Sequence, residues 1–316
     1  MPRLVLKIDV DTLRGTREGV PNLVRLLQRY QANATFLFSL GPDHTGWAIR
    51  RAFKPGFFSK VSRTSVVEHY GFKTLMYGVL LPAPDIGRAC ASQLRAARDA
   101  GFECGTHTWD HVVWQDNVRR QDADWTHNAM QRAFDRFVDI FDVAPKTHGA
   151  AGWQMNPYAF ARLDDFGITH ASDTRAALAD DGSLLDASAG PYRISASGKT
   201  LACVQLPTTL PTLDELLGRT IADQVITPSN VAATLLRLTA VPRDHVYTLH
   251  AELEGQKLAP IFERLLIDWK AQGYQLVAMA DYFASIRSTT GMSALPVKPI
   301  QWGTLPGRSG DLLLAA

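Results

Sequence analysis

Apolar residues recur with period two in one stretch of this chain and with a period near 3.6 in the next, and the switch repeats from end to end. Leu4, Leu6, Ile8 and Val10 share one face of a strand while Asp9 and Asp11 share the other. A helix is expected from about Pro21 to Gln31, with Val20, Leu23, Val24, Leu26 and Leu27 as its apolar stripe, and Ala34 to Ser39 reads as a second strand. Further strands are expected at Phe102 to Thr106, Thr147 to Ala150, Ile168 to Ser172, Leu201 to Leu206, Val246 to His250 and Gln275 to Met279. Helices are expected near Ile86 to Ala100, Trp125 to Phe141, Pro157 to Asp165, Asn230 to Thr239 and Ala259 to Gln272. Such repetition implies a parallel sheet, open or closed into a barrel. Asp9, Asp11, His107 and His250 all fall at strand ends, the edge where catalytic side chains gather in a barrel.

The 316 residues are enough for a large core, and 46% hydrophobic with 20% charged residues argues against disorder. A net charge of +2 gives no sign of a nucleic-acid partner. Cys90, Cys104 and Cys203 are odd in number and lack paired spacing, so they read as small buried residues. The start, Met1-Pro2-Arg3 followed by Asp9 and Asp11, is too short and charged for a signal peptide, and no apolar run reaches the length of a membrane span. A place on the cytoplasmic side is therefore expected.

Two regions break the rhythm. The connection between the second strand and the helix near Ile86 exceeds any ordinary strand–helix loop, so residues 42–84 read as an insertion. Between Trp47 and Tyr77 it holds Arg50, Arg51, Lys54, Lys60, Arg63 and Lys73 against the single acid Glu68. Phe53, Phe57, Phe58, Tyr70 and Phe72 are interleaved with them. That mixture suits an interfacial element at an anionic membrane surface, though a lid packed on the barrel would share it. Residues 288–316, rich in Ser, Thr, Gly and Pro, read as a flexible tail outside a domain of residues 1–287.

His107 and His111 stand at i and i+4, so one helical turn would aim both imidazoles at one ion; a pair of loop histidines bonded to backbone fits the spacing as well. Asp9 and Asp11 strengthen the metal reading, because two carboxylates one pleat apart are costly unless a cation or proton relieves them. His250 closes the apolar run Val246-Tyr247-Thr248-Leu249 and is followed by Glu252 and Glu254. Asp173 with Arg175, and the turn Gly149-Ala150-Ala151-Gly152-Trp153, admit structural and functional readings alike.

In this order the pieces resemble the NodB-type polysaccharide deacetylases. Ile8-Asp9-Val10-Asp11-Thr12 looks like the family's opening acidic motif, His107 to His111 like its H-x3-H, and Thr248-Leu249-His250 like its last motif. The resemblance implies a distorted (β/α) barrel of seven or eight strands. It implies a divalent metal ion (zinc, cobalt, nickel or manganese) on Asp11, His107 and His111, with Asp9 as base and His250 as acid. Asp173 is then expected to orient His250, and Arg14, Arg17, Arg175, Trp153 and Glu252 to contact substrate. Ile8 to Pro21, Ala150 to Trp153, Ser172 to Arg175 and Tyr247 to Gly255 are similar to family members that deformylate an undecaprenyl-phosphate-linked 4-deoxy-4-formamido-L-arabinose, in the aminoarabinose modification of lipid A. A peripheral place on the inner membrane's cytoplasmic face follows from that resemblance; a soluble deacetylase of chitin- or peptidoglycan-type N-acetyl sugars is the alternative. A non-catalytic sugar- or lipid-binding relative would have no need of both Asp9 and His250. The family's arginine that orients the base is missing from His148 to Gly152, with Arg175 or Arg14 as candidate substitutes, and Gln154 stands where a basic residue is expected.

Overall fold

The computed structural model describes residues 1–48, 71–185, 190–196, 198–306 and 310–315. Its main sheet has eleven strands: β1 (Arg3–Val10), β2 (Thr35–Ser39), β3 (Glu103–Thr108), β4 (Thr147–His148), β5 (His170–Ala171), β6 (Tyr192–Ala196), β7 (Lys199–Gln205), β8 (His245–His250), β9 (Gln275–Val277), β10 (Val297–Thr304) and β11 (Asp311–Ala315). Seven of these run parallel in the order β8-β1-β2-β3-β4-β5-β7. The ring is completed by the segment after β7. There the Thr209 N–H donates to the Val246 carbonyl at 2.9 Å, and the hydroxyls of Thr208 and Thr248 lie 2.9 Å apart. This is the expected distorted barrel. The distortion comes from its two-residue strands β4 and β5 and from a closing edge that is a loop rather than a strand.

Closure explains why β1 is buried from Leu4 to Val10 on both faces. Leu4, Leu6, Ile8 and Val10 belong to the core that also takes in Leu23 and Leu27 of α1 (Val20–Arg29). Val5 clusters instead with Leu37, Val204 and Val246. Lys7 and Asp9 alternate with the first set, so they share the face of Val5 and rise through the barrel interior toward the strands' C-terminal end.

Around the sheet pack α2 (Ala91–Asp99), α3 (His111–Asn117), α4 (Ala123–Phe141), α5 (Pro157–Asp165), α6 (Val231–Leu238), α7 (Ala259–Ala271) and α8 (Met279–Thr289). The helix expected over 86–100 is broken at Cys90, whose backbone leaves the helical region between a turn at Ile86–Ala89 and α2. The strand expected to Met279 stops at Val277, and α8, which the sequence reading did not anticipate, begins at Met279. Met279, Tyr282, Phe283 and Ile286, at helical spacing, cover Val5 and Leu37.

Residues 288–316 are not the free tail their composition suggests. β10 pairs in parallel with β6 and antiparallel with β11, and Leu312 and Leu313 are buried. Polar composition failed as a guide because β6 offers an open edge, and pairing with it satisfies backbone groups whatever the outward side chains are.

Of the insertion, Arg50, Arg51, Phe53, Lys54, Phe57, Phe58, Lys60, Arg63, Glu68 and Tyr70 lie outside the described residues. Trp47 stacks on His44 with ring centroids 4.0 Å apart, and Tyr77 is buried, so these two pack inward. Phe72 and Leu80 are 70% and 74% exposed. Among the described residues no helix is long and apolar enough to cross a membrane.

Candidate functional site

Three elements converge above the C-terminal end of β1. Asp11 follows β1, His107 lies next to the last residue of β3, and His111 opens α3. The i,i+4 histidines do not share one helical turn, as the spacing suggested; a strand end and a helix start hold them, with Asp110 as the N-cap accepting from the Val113 N–H at 3.1 Å. The rings still stack, centroids 5.5 Å apart. One donor atom from each of Asp11, His107 and His111 lies within 4.8 Å of the others.

The site passes a chemical test for a cation. His107 Nδ1–H donates to the Gly149 carbonyl, which turns its Nε2 lone pair toward Asp11. Among the described residues His107 Nε2 and Asp11 Oδ1 are buried without a hydrogen-bond partner although only 3.2 Å apart, and His111 Nε2 lies 3.4 Å from Asp11 Oδ2. Ligands held at about 2.1 Å from one tetrahedral ion sit roughly 3.4 Å from each other, so the observed spacings fit. Burial disfavours ionised Asp11, but His111 and then His107 outweigh it and hold its carboxyl well below the usual range.

The loop bearing Asp11 is clamped by Glu252. One carboxylate oxygen accepts from the Asp11 N–H at 3.0 Å and from the Thr12 N–H and hydroxyl at 2.8 Å each. A Cβ on Gly15 would stand 1.9 Å from that oxygen, which explains a glycine there. Burial and then the charge of Asp11 raise the Glu252 pKa to about 8. Glu252 is therefore a buried clamp of the loop that carries Asp11.

Strand register sets the rest. Asp9 is the cross-strand partner of His250 in the β1–β8 ladder, so the expected base and acid stand side by side at the barrel mouth. Asp9 Oδ2 lies 3.3 Å from Lys7 Nζ, and Oδ1 lies 3.9 Å from His107 Nδ1. His250 Nδ1 faces Asp214 Oδ1 at 3.7 Å, while its backbone N–H donates to Glu254 at 2.9 Å. Burial works against the imidazolium, but Asp214, then Asp11, Glu254 and Asp9, outweigh it and raise the His250 pKa to about 9. Burial likewise lifts Glu254 to about 7.

Several expected contacts go elsewhere. Asp173 does not reach His250: it accepts from His148 Nδ1 at 2.7 Å and the Ala150 N–H at 2.8 Å, so it pins the 148–152 turn. The β4–β5 register, with His148 opposite Ala171, directs it there. Arg175 does not orient Asp9; it forks onto Glu215 and lies 4.3 Å from the Trp153 ring. Trp153 is buried and its indole N–H donates to the Thr208 hydroxyl, so it walls the barrel interior. Arg14 pairs with Glu18 at 2.9 Å, and Arg17 sits beside the Cys90 thiol. Gln154 donates to the Asp311 carbonyl in the C-terminal hairpin at 3.4 Å. Lys7 and Asp214 are site residues that no motif marks, whereas Glu254 follows His250 in the sequence and accepts from its backbone N–H. Alternation alone places Lys7 on the face of Asp9 and Asp11, and that was the available signal; Asp214 had none.

The sequence profile of the polysaccharide deacetylases matches residues 4–170, from β1 through both histidines to β5. A protein of Shewanella sediminis assigned as 4-deoxy-4-formamido-L-arabinose-phosphoundecaprenol deformylase ArnD is 34% identical over 87% of this chain and 84% of its own. The chain belongs to the polysaccharide deacetylase family. A second deacetylase-family relative, from Wigglesworthia glossinidia brevipalpis and with the same assignment, is 30% identical over 94% of this chain and 96% of its own. A solved Mycobacterium smegmatis structure assigned as a polysaccharide deacetylase shares the fold, with TM-score 0.63 at 16% identity over 96% of this chain and 94% of the other. As a polysaccharide deacetylase the chain is an amide-hydrolysing enzyme, and the long connection after β2 falls within the stretch shared with both relatives.

Proposed function

We propose that the protein hydrolyses the formamide of an undecaprenyl-phosphate-linked 4-deoxy-4-formamido-L-arabinose, releasing formate and the free amino sugar. The observation that carries this reading is the register-locked pair Asp9 and His250 beside the Asp11–His107–His111 cluster, in a chain 34% identical to a protein assigned that activity. Asp11, His107 and His111 would hold one divalent ion, which when bound supplies Lewis acidity toward the amide oxygen and the attacking water; one carboxylate and two imidazoles suit zinc, cobalt, nickel or manganese. Asp9 accepts the proton of the attacking water as its oxygen bonds to the formyl carbon. His250, held protonated to about pH 9, gives a proton to the sugar nitrogen as the C–N bond breaks, because an amide nitrogen cannot leave as an anion.

A lipid-linked substrate requires access from a membrane. Exposed Phe72, Val79 and Leu80 at the described edge of the insertion, together with a sequence between them and β2 that carries Arg50, Arg51 and Lys54, support a peripheral contact with an anionic bilayer. With this substrate the reading includes a place on the cytoplasmic face of the bacterial inner membrane. The test is mass spectrometry of the lipid-linked sugar after incubation with metal-replete protein in detergent. Loss of one formyl group is expected. An unchanged lipid, together with acetate release from N-acetyl chito-oligosaccharides or peptidoglycan fragments, would replace this reading with the soluble deacetylase.

A further inference from the structure

Lys7 is 0% exposed, in the barrel interior below the site. A buried ammonium is strongly disfavoured unless it is paired, and its one ion pair among the described residues is with Asp9 Oδ2, at 3.3 Å. Among the described residues Nζ has no hydrogen-bond partner, and Asp9 Oδ1 has none either. The stem is confined on two sides. A Cβ at position 149 would stand 2.8 Å from Lys7 Cε, so the chain passes over a residue with no side chain. On the other side Nζ lies 4.9 Å from the Trp153 ring. Trp153 takes a left-handed backbone, φ 57°, which a bulky residue holds only when its surroundings impose it. Arg175 also lies over the indole and is forked onto Glu215, whose carboxylate accepts from the Thr212 N–H at 3.1 Å. Asp214, facing His250, belongs to that same turn, Leu213–Leu216.

We propose that Lys7 is the positioning residue of Asp9: its ammonium engages one carboxylate oxygen and thereby sets the plane in which the other, beside His107, meets the reacting water. This rests on the reading of Asp9 as base and goes beyond it. A carboxylate without such a partner can rotate about its χ angles, and a base contributes only when its lone pair is aimed at the proton it takes. The planar neighbour Trp153 and the bare Gly149 leave the Lys7 stem one path, so the orientation is built into β1 and the 149–153 turn together.

The test compares Lys7→Met, Lys7→Arg, Asp9→Asn and the Lys7→Met/Asp9→Asn double variant, each metal-loaded with metal content measured, for kcat and KM on the formamide lipid. Lys7→Met should keep its metal and KM yet lose roughly 10²- to 10³-fold in kcat, most of what Asp9→Asn loses. Lys7→Arg should recover at least about tenfold of that loss, since the charge is restored. The double variant should be no slower than Asp9→Asn, because removing the base leaves Lys7 nothing to orient. A Lys7→Met kcat within about threefold of the original, or losses that multiply in the double variant, would overturn the proposal. If Lys7→Met alone does not fold, the double variant, which removes both buried charges, carries the comparison with Asp9→Asn. If the original protein leaves the formamide lipid intact, the functional reading fails separately. A crystal structure of Lys7→Met, or of the double variant against Asp9→Asn, then decides: residue 9 should turn from its original orientation, and an unmoved side chain counts against Lys7.

Discussion

Replacing Asp214 by Asn removes the carboxylate nearest the His250 ring, and the effect on pH dependence can be worked from the geometry. The two groups face each other at 3.7 Å, with the Asp214 side chain 43% exposed. At that separation two unit charges interact by about 1–2 kcal/mol at an effective dielectric of roughly 40–80, the range suited to a partly solvated carboxylate. Since 1.36 kcal/mol is one pKa unit, the ring should lose about one unit. In the proposed mechanism His250 serves as an acid only while protonated, so its raised pKa should extend activity upward in pH, with activity lost as pH rises through about 9. Asp214→Asn should therefore bring the alkaline limb of kcat/KM down by about one unit while leaving the rate near neutrality little changed. The measurement is a kcat/KM profile on the formamide lipid, beside Asp173→Asn. That control should not move the limb, because Asp173 is occupied by His148 and Ala150. An unmoved limb in Asp214→Asn, or a limb shifted by Asp173→Asn, would refute the assignment of His250's partner.

Other predictions read different parts of the molecule. His107→Ala and His111→Ala should each lose the divalent ion under mild chelation, by elemental analysis, and full occupancy in the double alanine variant would dismiss the ligand set. Leu313→Ala should cost about 2–5 kcal/mol in urea unfolding, as for other buried leucines; a cost near zero would mean that β11 is not part of the folded sheet in solution. Gly15→Ala should weaken metal retention, because its methyl must displace the Glu252 oxygen that holds the Asp11 and Thr12 amides; unchanged retention would show that the clamp is dispensable. Phe72→Ser with Leu80→Ser should lower co-sedimentation with anionic vesicles by roughly tenfold per buried side chain, whereas undiminished binding would exclude this edge from the membrane contact.

Local pattern determined much of this chain, though the helical spacing of Met279, Tyr282, Phe283 and Ile286 shows that it held more than the strand expected there. Alternation placed Asp9 and Asp11 on one strand face, the spacing of His107 and His111 marked a pair able to share an ion, and the period switches located nearly every barrel strand with its following helix. These features depend on neighbours a few residues away, which the order of residues records. Lys7 was open to the same alternation, yet a charged residue on the polar face of a strand ordinarily points to water; only closure of the barrel makes that face an interior and turns the lysine into a partner of Asp9. Asp214 and Asp173 show the limit more sharply. Which of them meets His250 depends on the β4–β5 register and on where the turn after Thr212 lands, and both follow from contacts between distant segments. The C-terminal residues obey the same rule: their polar sequence allowed a tail, and the open edge of β6, formed far upstream, made it a hairpin.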